Sequence, residues 1–264
     1  MVMKYLSLAA FAILLTTATC RASEQSNLFR DVYACPERGS SSVCVYGTIP
    51  KGKQVTVIAK GWKSSALPKE KFSNANEDIQ NGIRTSTRLR VAASPPKDAT
   101  MIAILADTSM VNELPFEEVQ DGALVGRIGR HIQNTKELNL DPDIRLLKTR
   151  LLRLSPTILL SETFLSPPND VPDLEKQLSS GCSYCENVPI LVGQKLMDLF
   201  KDVRSTKVNV EHTCGGIEFA FALSGRTYVL SHAFSCESDS FSATLIHDVS
   251  QDKPKLVFRL AGGF

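Results

Sequence analysis

Apolar residues along this chain recur with two different periods, and the change of period divides it. From residue 207 onward the period is two. Strands are expected over residues 208–212, 216–223, 226–234, 241–248 and 255–260, with turns at Ser224-Gly225 and at 251–254. Such a series predicts an antiparallel meander. Its central hairpin admits two registers. A two-residue turn at Ser224-Gly225 sets Phe221 opposite Tyr228 and Phe219 opposite Leu230. A three-residue turn sets Cys214 opposite Cys236, and a bulge between turn and cysteines would reconcile both.

The first half alternates less regularly. Residues 42–62 carry two apolar runs separated by Pro50-Lys51-Gly52-Lys53, which predicts a hairpin. Residues 63–100 are polar and predict a loop-rich stretch with one strand at 87–92, ending at Pro95-Pro96 as a boundary between parts. Residues 99–106 predict a buried strand. Leu124, Val125, Ile128, Ile132 and Leu138 have helical spacing, so residues 117–138 predict a helix, with Gly126 and Gly129 weakening it or marking close packing. Residues 143–154 fit a helix capped by Asp143, while residues 149–160 fit equally well two short strands split at Ser155-Pro156. Val188, Leu191, Val192, Leu196, Leu199, Phe200 and Val203 share one helical face, so residues 188–203 predict an amphipathic helix capped by Asn187. The fold class expected is therefore α+β and disulfide-stabilised. A small β-rich part (23–95) precedes a part (96–264) in which two or three helices pack on an antiparallel sheet.

Residues 1–22 read as an address. A positive start at Lys4, the apolar run 6–15 and the small polar stretch 16–22 make a secretory signal peptide cleaved near Ala22. The run is shorter than the roughly 20 residues a spanning helix needs. The expected location is periplasmic or secreted, with no transmembrane segment. A lipoprotein acylated at Cys20 is the minority alternative, since Thr17 stands where an aliphatic residue is expected.

The formal net charge is +2, and losing Lys4 and Arg21 with the signal brings it to zero. That argues against a whole-surface anion binder and disfavours nucleic acid as partner. Charge is uneven, however. Residues 51–90 hold nine Lys and Arg against Glu70, Glu77 and Asp78, a local excess of six. A basic face of that kind is either merely solvated or reaches a protein or anionic cell-surface polymer. Its candidate contacts are Lys51, Lys53, Lys60, Trp62 and Lys63.

Six cysteines remain after the signal: Cys35, Cys44, Cys182, Cys185, Cys214 and Cys236. An even number in an exported chain reads as disulfides, and proximity favours Cys35–Cys44, Cys182–Cys185 and Cys214–Cys236. Cys182-Ser-Tyr-Cys185, just before an expected helix, has a second reading as a redox pair with one thiol activated by the helix end. Thioredoxin-like proteins use that arrangement, but the Pro-Thr step at 156–157 precedes the pair here, where theirs follows it, and no strand leads into Cys182. A four-thiolate zinc site from Cys182, Cys185, Cys214 and Cys236 lacks close spacing in its second half.

Residues 45–62, VYGTIPKGKQVTVIAKGW, place a Gly, a Lys-Gly turn, an alternating Val strand and a Trp in order. This segment resembles the middle of bacterial SH3-like domains. The resemblance covers these 18 residues. It implies a small barrel that binds cell-wall material or peptide.

Enzymatic signatures are few. The four histidines form no H-E-x-x-H, there is no G-x-S-x-G elbow, and Gly122, Gly126 and Gly129 lack the residues that cradle phosphate. Glu218 and His232, on neighbouring strands, are the one general-base pairing on offer. No cofactor or metal is expected. The leading expectation is a non-enzymatic binding or scaffold protein of the envelope or secretome. The alternative is a thiol–disulfide protein using Cys182 and Cys185, and a hydrolase using Glu218 and His232 comes third.

Overall fold

The computed structural model describes residues 28–33, 35, 41–74, 84–97, 99–135, 138, 145–166, 186–204, 213–235 and 242–262. The signal segment with Cys20, the pair Cys182 and Cys185, Cys236, His212 and the strand expected at 208–212 lie outside the described residues. Contacts divide the chain into two compact units, Met1–Ser109 and Met110–Phe264.

The described part of the first unit is a closed six-stranded barrel. Its strands are β1 (Phe29–Tyr33), β2 (Ser42–Tyr46), β3 (Val55–Ala59), β4 (Trp62–Asn74), β5 (Arg84–Val91) and β6 (Ile102–Ile104), in the order β1-β2-β5-β4-β3-β6. Antiparallel pairing of β1 with β6 closes the ring, Phe29 opposite Ile104. Side chains alternate across each strand, so Val43, Val45, Val55, Val57, Leu89, Val91 and Ala103 fill the interior. The Cys35–Cys44 disulfide ties the end of β1 to β2, with Cα atoms 5.1 Å apart.

The hairpin expected over 42–62 does not form. β2 pairs with β1 and β5, and β3 pairs with β4 and β6. Between them the chain is held to β5 instead: the Gly47 amide donates to the Thr85 carbonyl at 2.8 Å, and Thr87 Oγ1 donates to the Gly47 carbonyl at 2.8 Å. The tight turn lies later, at Lys60-Gly61, where Ala59 faces Trp62 and Gly61 has φ +70°. The loop-rich stretch expected after residue 63 is mostly strand as well. Buried Ser64 and Ala66 alternate there with exposed Lys63, Ser65 and Leu67. A serine on the inner face erases the apolar alternation by which a strand is recognised.

The second unit is layered. One sheet has the order β12-β11-β10-β9-β8, from β8 (Glu117–Val119), β9 (Arg145–Ser155), β10 (Ile158–Ser166), β11 (Glu186–Val192) and β12 (Leu196–Asp198). The other has the order β16-β15-β14-β13-β7, from β7 (Val111–Leu114), β13 (Thr213–Leu223), β14 (Arg226–Ser235), β15 (Ser242–Asp248) and β16 (Lys255–Gly262). Every strand pairing is antiparallel. Helix α1 (Gly122–Asn134) covers one face of the first sheet, placing Ile128 and Ile132 on Leu151, Leu165, Val188 and Ile190. Asp121 caps it by accepting from the Leu124 amide at 2.9 Å. The opposite face of that sheet meets the second sheet through Leu152, Leu160, Leu191, Ala220 and Val229.

The α+β architecture with two or three helices is thus corrected to a β-rich one. Among the described residues α1 is the one helix longer than the four-residue α2 (Lys201–Arg204). The amphipathic helix expected over 188–203 is β11, a turn at Gly193, β12 and α2. The reason is burial on two sides. Val188 and Ile190 face α1 while Leu191 faces the second sheet, so β11 reads as a continuous apolar run, which periodicity does not separate from a helix. For residues 149–160 the strand alternative forms, with Ile158 opposite Ser155 at the turn. The meander forms from Thr213 onward, and the residues at its first turn, Ser224 (φ 51°) and Gly225 (φ 75°), have the left-handed pair of a type I′ hairpin. No helix among the described residues is long and apolar enough to cross a membrane.

Candidate functional site

The candidate contacts on the barrel fall at the two ends of β3. Lys51 and Lys53 flank Gly52 (φ +78°) in the loop entering the strand, and the Lys53 amide closes a turn on the Pro50 carbonyl at 3.2 Å. Lys60, Trp62 and Lys63 lie at the turn leaving it. Five residues of strand separate the groups, a span of about 17 Å at some 3.4 Å per residue. The structure therefore brings the five together on one barrel as two clusters.

Their roles differ. Lys51, Lys53 and Lys60 are exposed. Lys63 Nζ donates to the Thr108 carbonyl at 3.0 Å. Trp62 is partly buried against the barrel core, and its indole nitrogen is buried with no hydrogen-bond partner among the described residues. The ring packs against the barrel core and does not stand out as a stacking platform. Further cations that were not singled out from the sequence belong to this face: Lys69 and Lys71 on β4 and Arg90 on β5, all exposed. Among the described residues the ion pair in this region is Arg88 with Glu70, at 2.6 Å. Leu67, which is 70% exposed, stands opposite Arg90 in the register.

A second constellation lies between the two sheets of the second unit. Glu162 is 4% exposed at the centre of β10. Its Oε1 accepts from the Ile217 amide at 2.7 Å, and its Oε2 lies 3.6 Å from Arg150 Nη1. Arg150 reaches Glu118 with its other nitrogen, at 3.7 Å. Asn187, on the same face one strand over, donates from Nδ2 to the Gly215 carbonyl at 2.6 Å. A Cβ on Gly216 would meet Glu162 Oε1 at 2.6 Å and Asn187 Nδ2 at 3.0 Å, so that strand approaches only as glycine. The available signal was the lone acid in the run ILLSETFLS, a charge that burial forces to find partners.

His232 stands opposite Gly216, and Glu218 is the residue skipped by a bulge between Ile217 and Phe219. The imidazole instead places Nε2 3.3 Å from Ser242 Oγ. Its Nδ1 is buried without a hydrogen-bond partner among the described residues, and burial lowers its pKa. A serine nucleophile needs an acceptor behind Nδ1 to hold the tautomer. The described residues supply none here, and no group of three His, Cys, Asp or Glu among them could hold a metal.

The bulge also settles the register near the cysteines. It lies on β13, so Cys214 faces Phe234, whereas a bulge on β14 would have moved it towards Cys236. Cys214 is disulfide-bonded. No protein-family model, no curated protein and no solved structure matches the chain.

Proposed function

We propose that this chain is an exported, disulfide-stabilised binding protein of the cell envelope or secretome whose barrel engages an extended anionic polymer. The observation that carries this reading is the unmatched charge on the barrel. Lys51, Lys53, Lys60, Lys69, Lys71 and Arg90 have no ion pair among the described residues. Clustered like charges repel over about 8 Å at physiological ionic strength. A polyanion laid across them relieves that repulsion and releases its own counterions. The separation of Lys51 and Lys53 from Lys60 favours an extended partner over a single small anion. The resemblance of residues 45–62 to bacterial SH3-like domains points the same way, towards cell-wall material. Export itself rests on the signal-like first 22 residues.

The test uses residues 23–264 with heparin as the probe polymer, titrated at several salt concentrations. Binding is expected to weaken steeply with salt. Charge reversal of Lys51 with Lys53, and separately of Lys60, is expected to weaken it and flatten the salt dependence. Salt-independent binding, or reversal variants that bind like the parent, would end this reading.

A further inference from the structure

Among the described residues, the outer edge of β9 is only half covered. β8 pairs with it through three residues, Glu117 opposite Arg153, Glu118 opposite Leu152 and Val119 opposite Leu151. β9 itself begins at Arg145. Among the described residues no backbone group bonds the outer edge over residues 146–150. An open row of amides and carbonyls of this kind is a template for another strand.

Beside that edge, under α1, lies a cavity of about 270 Å³. Val125, Gly126, Gly129, Leu146 and Arg130 line it, and Lys148 on β9 borders it. Leu146 is 36% exposed there. The helix glycines hold the space open. A Cβ on Gly129 would come within 3.2 Å of Leu146 Cδ1, while one on Gly126 would meet only Arg130 Nη1, at 3.6 Å.

Charge selects the occupant. Neither α1 nor β9 contains an acidic residue. Glu117 and Glu118 pair with Arg153 and Arg150. Arg127, Arg130 and Lys148 are exposed and have no ion pair among the described residues. A second copy of this chain added edge to edge would set these cations against their own kind. An acidic segment would neutralise them.

We propose that residues 146–150 and the cavity under α1 form a strand-addition site for an extended, acidic segment of a partner protein. The segment continues the sheet beyond β8 and seats one aliphatic side chain in the cavity. Its backbone supplies the bonds common to any strand, and the cavity and cations supply the choice of sequence. The site lies in the second unit and is independent of the polymer reading for the barrel.

The experiment uses residues 23–264 and a fluorescein-labelled octapeptide alternating valine with glutamate. Anisotropy is expected to show saturable binding, and a valine–lysine octapeptide is expected not to bind. Gly126→Leu fills the cavity from a position with room for a side chain, and Lys148→Glu reverses a charge on the open edge of β9. Each is expected to weaken binding about tenfold or more, or about 1.4 kcal/mol. Amide exchange over residues 146–150 is expected to slow with the peptide bound. If Gly126→Leu fails to fold, Lys148→Glu and the exchange data carry the test. Parent-like binding by the variants, or binding without protection of 146–150, overturns the proposal. So does a concentration-dependent dimer protecting those same amides, which would make the occupant a second copy.

Discussion

Glu162 Oε1 accepts a hydrogen bond from the Ile217 amide at 2.7 Å, joining the middle of one sheet to the strand of another at the point where that strand bulges. The bulge turns the Ile217 N–H out of its own ladder, and the carboxylate is what receives it. Glu162→Leu leaves that amide buried without its acceptor and is expected to cost about 1–3 kcal/mol. Glu162→Gln keeps an acceptor oxygen and loses mainly the 3.6 Å attraction to half-exposed Arg150, about 0–1 kcal/mol after solvent screening. Urea denaturation of the two variants, compared at equal slope, gives the order directly. Equal losses would mean that the amide is satisfied by something else.

Glycine is required more strictly at Gly215 than at the turns. Gly215 has φ +105°, and a Cβ there would run into the His232 carbonyl on the paired strand. Gly61 and Gly225 also have positive φ, but a Cβ at either meets nothing within 4 Å. Gly61→Ala and Gly225→Ala are therefore expected to lose about 1 kcal/mol each, the strain of a left-handed residue alone. Gly215→Ala adds a backbone collision, and its melting temperature should fall furthest of the three.

His232 gives the fold a pH dependence with a definite sign. Burial lowers its pKa, so the unfolded chain takes up a proton that the folded chain resists. The neutral-ring stability is complete above the unfolded value of about 6.5 and declines as pH falls towards the lower folded value. Melting temperature is expected to drop between pH 7 and pH 5, and His232→Gln should flatten that part of the profile. An unchanged profile in the variant would assign the slope to another group.

Removing the Cys35–Cys44 bridge as the double serine variant frees a loop with a sequence separation of nine. Chain entropy alone predicts a loss of about 2.5 kcal/mol. Cys44 is fully buried on the face of β2 opposite Val43 and Val45, so its serine leaves a hydroxyl shielded from solvent. The loss is expected in the barrel's unfolding transition and to be absent from that of the second unit. Loss in both transitions would show the two to be coupled.

What the chain revealed in advance follows its chemistry locally. The Ser224-Gly225 turn and its Phe221–Tyr228 pairing were legible because one face of that hairpin alternates cleanly and the turn residues accept positive φ. Helix α1 was legible from its spacing, but its start was not: the helix expected from residue 117 begins at Gly122, and Glu117–Val119 is strand β8 paired with β9. The strand β11 was not, because two apolar faces give no alternation. The barrel was not, because its order is set by which distant strands meet, and Gly47 looks like any turn glycine until Thr85 is beside it. At the candidate sites, the lysines could be named one by one, but their division between two ends of a strand belongs to the fold. Glu162 was passed over because its partners, Ile217 and Arg150, lie on three different strands with it.

The order of the barrel strands has a consequence for assembly. β3, β4 and β5 can zip together early, since Lys60-Gly61 closes the first of those pairs across two residues. β6 is three residues long and sits between β1 and β3, pairing with both. It is the last barrel strand in the chain, and until it arrives the ring has two open lips. Closure must bring residue 104 to residue 29, a long loop whose entropy is met only when the final bonds form. A chain interrupted before residue 102 would carry every larger strand of this barrel and still present it as an unfastened sheet.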